Sequence, residues 1–145
     1  MSASDLKPPL WFTLAAAAGL LWNLLGAWQF ISGWTATPES LAAMGFTPEQ
    51  VTLMLAEPLW LTIVNGLAMI AGIGGCILLL MRKSLATPVL ALLVLLCILI
   101  YIGNFTAGYF GALGTAYVVI MTMVVVISVG LWWLARWAGR MGYLS

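Results

Sequence analysis

The chain has 145 residues, 64% of them hydrophobic and only 6% charged, with five basic and four acidic side chains and no histidine. A soluble domain carries charge on about a quarter of its residues, so nine charges cannot cover a water-facing surface of this size, and the solvent expected is lipid. A net charge of +1 gives no electrostatic case for nucleic acid, and the missing histidine removes the commonest metal ligand and general base.

In chain order, the first apolar run is Leu10 to Gly33. Spanning the hydrocarbon as a helix takes about 20 apolar residues. The stretch LAAAAGLL resembles the apolar part of a signal peptide. The run is too long for one, however, and continues through Trp22, Asn23, Trp28 and Gln29 without a cleavage site, so a retained span is expected. Gly19, Asn23, Gly26 and Gly33 fall on one face of this helix. Helices in lipid associate through close packing of small residues and interhelical hydrogen bonds, so this face is expected to meet a neighbour.

The connection 34–57 carries an internal echo, Thr37-Pro38-Glu39 and Thr47-Pro48-Glu49. Threonine is a good N-cap, proline suits the first helical position, and glutamate suits the positive helix end. Each triplet predicts the start of a short amphipathic helix, with Gly45 closing the first. Leu41 and Met44 share a face in the first, and Val51, Met54 and Leu55 in the second. Two roles stay open: a pair of helices lying on the headgroup layer or capping the bundle, or a substrate lid or partner-docking element.

The second span is 58–81, with a stripe of Thr62, Asn65, Met69, Gly72 and Cys76 expected to face the first span. The run Gly72-Ile73-Gly74-Gly75 lacks the lysine of a phosphate loop and sits in mid-span, so close helix packing is the reading. The third span is 85–105 and the fourth about 114–135. Between them, NFTAGYFGALGT, with Gly108, Gly111 and Gly114 evenly spaced, reads as a flexible loop. The fold class predicted is an all-α membrane protein, a single domain of four transmembrane helices with two short amphipathic helices in the first outer loop.

Orientation follows from the basic residues. Lys7, Arg82, Lys83, Arg136 and Arg140 all fall on one side of four crossings, and the connections 34–57 and 106–113 hold no Lys or Arg. Both termini are therefore expected on the cytoplasmic side. Tryptophans favour the headgroup layer: Trp11, Trp132, Trp133 and Trp137 mark the inner boundary, and Trp34 and Trp60 the outer. Trp22 and Trp28 do not fit a belt and are expected within the bundle or facing lipid.

The spans hold no His, carboxylate or ammonium group with which to build an intramembrane active site or proton relay. Cys76 and Cys97 match no metal or redox spacing, and their different depths argue against a disulfide. No cofactor, metal or enzymatic reaction is expected. The strong polar side chains of the spans concentrate in the outer half. Two roles are open for Gln29, Asn65, Tyr101 and Asn104: hydrogen bonds between helices, or an outward-facing pocket for a neutral ligand, roofed by the short outer helices.

Several segments together, LLWNLLGAWQF, TPEQ, EPLW, AGIGGCILLLMRKSLATPV and YIGNF, resemble a family of small four-span bacterial inner-membrane proteins, some labelled sugar transporters. The resemblance covers most of the chain and implies a bacterial inner-membrane location. Two functions are therefore expected to compete. The first is a non-enzymatic accessory, scaffold or assembly subunit of a membrane complex. The second is an oligomeric transporter or exporter of a small neutral solute such as a sugar. Partners expected are the lipid bilayer and either further copies of the chain or a larger membrane complex.

Overall fold

A computed structural model describes residues 7–145, apart from the side chains of Gly33 and Trp34, so the expectations for those two side chains lie outside the described residues. Seven helices occur among these residues: α1 (Leu10–Trp34), α2 (Pro38–Ala43), α3 (Pro48–Leu55), α4 (Leu59–Leu80), α5 (Ala86–Thr106), α6 (Tyr109–Leu113) and α7 (Thr115–Arg140). Four of them, α1, α4, α5 and α7, are long and apolar enough to cross a membrane. At about 1.5 Å per residue, the 21 residues of α5 span roughly the 30 Å of a bilayer core.

The four span helices pack in the order α1, α4, α5, α7, each leaning chiefly on the next. The glycine run of α4 explains why this helix can serve two neighbours. A Cβ at Gly72 would overlap the Asn23 carboxamide of α1, whereas a Cβ at Gly75 would lie 2.6 Å from Leu90 Cδ2 of α5. The two glycines, about 60° apart around α4, thus admit different neighbours, and Gly74 on another side faces open space. Nearer the other end of α5, Gly103 gives the same close approach to Trp60 and Leu61.

Phe12, Leu61, Leu79 and Leu90 are fully enclosed, while Leu21, Trp28, Ile70, Leu95 and Val126 point outward. Apolar side chains on both sides of a helix are what lipid as solvent requires. Trp28 is 72% exposed, so it faces lipid.

The end of the bundle carrying Lys7, Arg82, Lys83, Arg136 and Arg140 is here called the basic end. There α1 reaches α7 directly, with the Trp11 and Trp137 rings 4.9 Å apart, and the Arg136 guanidinium lies 5.5 Å from the Trp132 ring. Helix α7 runs to Arg140, five residues beyond the expected 135. Arg140 in its last turn favours the negative helix end. Gly142, at φ 83°, then closes the helix, with Tyr143 N–H donating to Ala138 O and Gly142 N–H to Gly139 O. The residues that follow return to the α4–α5 turn: Ser145 N–H donates to Arg82 O, and Ser84 N–H to Ser145 O.

The opposite, capped end differs from expectation in one respect. The segment read as a flexible loop contains a helical turn, α6. Gly108 (φ 83°) and Gly114 (φ 88°) adopt the left-handed backbone that lets the chain leave α5 and enter α7 sharply. The residues between them are held by aromatic contacts: Phe110 lies 4.8 Å from Tyr101 and 6.0 Å from Tyr117.

Candidate functional site

The capped end is assembled from α2, α3 and α6. Both threonine-proline triplets open helices as expected, and each N-cap is reciprocal. Thr37 accepts from Ser40 N–H while its own N–H donates to Ser40 Oγ. Thr47 pairs in the same way with Gln50. Gly45, at φ 96°, closes α2.

Helix α3 then docks on α6. Gln50 Nε2 donates to Ala112 O at 2.7 Å, and Tyr109 Oη to Leu53 O at 3.1 Å. Burial, with the Glu57 carboxylate nearby, pushes the Tyr109 phenol above its usual pKa. Of the apolar residues expected to share a face, Leu41 and Val51 are buried and Met54 is half-buried, but Met44 (72%) and Leu55 (46%) are exposed.

Beneath this cap the polar span residues do not converge. Asn104 is 3% exposed; it donates to Ile100 O and accepts from Tyr117 Oη at 2.7 Å. Tyr101 lies along the same α5–α7 seam, 3.3 Å from Thr122 Oγ1. Asn65 is on α4 and returns its donor to Leu61 O. Gln29 stands exposed on α1. Two of the four residues therefore share a seam, and the other two lie on separate helices, so they line no common pocket.

Glu57, Tyr109 and Tyr117 are the cap residues that the sequence did not single out. Glu57 accepts from Thr62 Oγ1 at 2.7 Å across Pro58. A signal for Tyr117 existed: Asn104 ends one span and Tyr117 begins the next across a short connection, so the two must be at similar depth.

Deeper in the bundle, Asn23 donates to Gly19 O at 2.8 Å and approaches Cys76 Sγ at 3.6 Å. Gly19 itself meets Leu131 of α7 and Cys76 of α4. The expected meeting of the α1 and α4 stripes is therefore seen at Gly19, Asn23, Gly72 and Cys76. Gly26 is the exception: it is exposed, with nothing within 4 Å of where its Cβ would be. The reason is geometric. α1 stays on α4 beyond this point through Phe30, which would lie 3.6 Å from a Cβ at Gly66, while Gly26 turns to a side of α1 where no neighbour stands within 4 Å. Cys76 and Cys97 are both free and buried.

Two spaces adjoin these residues. One is a cavity of about 20 Å³ among α1, α5 and α7, lined by Trp22, Asn23, Leu93, Cys97, Ser128 and Leu131 among others. It has room for about one water molecule. The other is a shallow groove of about 170 Å³ on the flank of α5 and α7, lined by Ile98, Tyr101, Ile102, Thr122, Val125 and Val126. Among the described residues no cluster of His, Cys, Asp or Glu could hold a metal ion.

The Asn104–Tyr117 pair has a measurable consequence. Tyr117→Phe removes the donor to a buried carbonyl oxygen and is expected to cost about 1 kcal/mol, within the range for hydrogen bonds between membrane helices. A double-mutant cycle with Asn104→Leu, read by thermal unfolding in detergent, should return most of that cost as coupling. Additive effects of the two substitutions would contradict the pairing.

The fold and the placement of its polar groups define an integral membrane protein of four helical spans. Comparison with known protein families, curated proteins and solved structures gives no match to the chain.

Proposed function

We propose that this protein is a non-enzymatic accessory, scaffold or assembly subunit of a membrane complex, resident in a bacterial inner membrane with its basic end in the cytoplasm. One observation carries the reading. The amides packed inside the spans are engaged within the chain: Asn23 with Gly19, Asn65 with Leu61, and Asn104 with Ile100 and Tyr117. The Asn104–Tyr117 bond and the Asn23–Cys76 approach join two helices, the bonds to residues four back close within one helix, and amides engaged in these ways are not held ready for a solute. A carrier of neutral solutes needs polar lining at successive depths. The cavity beside Asn23 and Ser128 admits about one water, and the larger groove is apolar and lies on the bundle's flank.

The orientation rests on the five cations at one end, including Arg82 and Lys83 in the tight α4–α5 turn. The bacterial location rests on the resemblance described above.

Extraction in mild detergent followed by native mass spectrometry tests the assembly role. At native abundance, the expected result is a complex containing this chain and a different membrane protein. A lone monomer, or a homodimer with nothing else bound, contradicts the proposal. In proteoliposomes, the isolated protein is expected to move no neutral sugar.

A further inference from the structure

Gln29 is the one glutamine within the four spans, and unlike the span asparagines it has no hydrogen-bond partner among the described residues. Its side chain is exposed, one turn from the exposed Leu25 (57%) on the same side of α1. At about 1.5 Å per residue, Gln29 sits roughly 6 Å inside the end of the span. Side chains on a helix lean toward its N-terminus. For α1 that direction runs deeper into the bilayer, away from the nearer boundary, so the carboxamide does not reach headgroup water easily. An amide left unpaired in hydrocarbon is costly.

The surroundings of Gln29 leave room for a partner. Gly26 lies about one turn away with open space where a Cβ would be, and Ala18 on the same side is also exposed. By helical geometry the three lie within about 80° of one another around α1. α7 does not cover this side, because its contact with α1 lies nearer the basic end, at Leu131 and Trp137.

We propose that a second copy of this chain docks on the Gln29 face of α1, with the two Gln29 carboxamides hydrogen-bonded to each other about a two-fold axis normal to the membrane. The chemistry favours this occupant. A carboxamide carries both donor and acceptor and is self-complementary. A second copy inserts in the same direction, which brings its Gln29 to the same depth without further adjustment, and a C2 interface is the common way for identical chains to meet. The proposal rests on the assembly role above in naming one member of the complex, but dimerisation can be measured without any other member.

The test uses Leu25→Cys, exposed one turn from an intact Gln29 on the same side of α1, in a Cys76→Ala, Cys97→Ala background, oxidised in native membranes. A disulfide-linked band of twice the chain mass should form several-fold more strongly than from Leu67→Cys on α4 or Val126→Cys on α7, two lipid-facing controls. In liposomes, energy transfer between labelled copies should fall about three- to tenfold in dimer fraction for Gln29→Leu, the size of one membrane hydrogen bond, and recover in part for Gln29→Asn. The exposed position makes Gln29→Leu harmless to the monomer fold, which its unfolding temperature checks.

Equal crosslinking at all three positions, or undiminished association of Gln29→Leu, overturns the proposal. So does a Leu25→Cys crosslink to a different protein, although that outcome leaves the assembly role standing. A Gln29-dependent dimer with no other protein bound supports the dimer and contradicts the assembly role, so the two failures can be told apart.

Discussion

Gly72→Leu is expected to destabilise the bundle by about 3 kcal/mol, the upper end of the usual cost of overpacking. Gly72 is where α1 comes closest to α4: even a Cβ there would overlap the Asn23 carboxamide. Asn23 can move aside only by giving up Gly19 O and Cys76 Sγ, which would leave an amide unpaired in mid-span. Gly72→Ala should cost less, about 1–2 kcal/mol, and Asn23→Ala in the same chain should recover part of it by clearing the space. Thermal unfolding in detergent measures all three. A Gly72→Leu protein as stable as the parent would show that α1 and α4 do not cross there.

Leu93→Ala is expected to cost about 2 kcal/mol, and Gly26→Leu less than about 0.5 kcal/mol. Leu93 is 3% exposed and already borders the small cavity beside Asn23 and Cys97, so truncation enlarges a void. The low end of the Leu→Ala range applies because lipid, not water, surrounds the separated helices, and the transfer contribution is largely absent. Gly26→Leu adds a side chain where nothing stands in its way. The glycine spacing of α1 alone suggests the reverse order, because it places Gly26 on the packing stripe. A larger loss for Gly26→Leu than for Leu93→Ala in the monomer would mean that α1 and α7 stay together toward the capped end.

The comparison shows which features a sequence of this kind declares. The four spans are legible because lipid demands long apolar runs, and their helices fall close to the expected limits. The two short helices are legible because Thr-Pro-Glu encodes a cap, a start and a favourable charge within three residues, and the structure shows both capping boxes.

Helix pairing was legible only in part. The spacing of Gly19, Asn23 and Gly26 fixes a face but not how far along it the neighbour follows, which depends on the angle between α1 and α7. The α6 turn was hidden because glycines at 108, 111 and 114 look equivalent in sequence, although only Gly108 and Gly114 use positive φ. The choice between the two roles open to the polar residues was hidden for a related reason. Depth can be counted from the span ends, but the direction each residue faces depends on helix rotation. Asn104 and Tyr101 therefore share the α5–α7 seam while Asn65 and Gln29 do not.

In the proposed orientation the chain crosses the bilayer four times, with its basic turns and the described residues at both ends on one side. Single cysteines introduced in a background lacking Cys76 and Cys97, labelled in intact cells with a membrane-impermeant maleimide, test it most directly. Ser40→Cys and Ala112→Cys, exposed at the capped end, should react from outside. Ser84→Cys and Ser145→Cys, exposed at the basic end, should react only after the membrane is opened. Labelling of Ser84→Cys or Ser145→Cys in intact cells, or protection of Ser40→Cys and Ala112→Cys, would contradict the account.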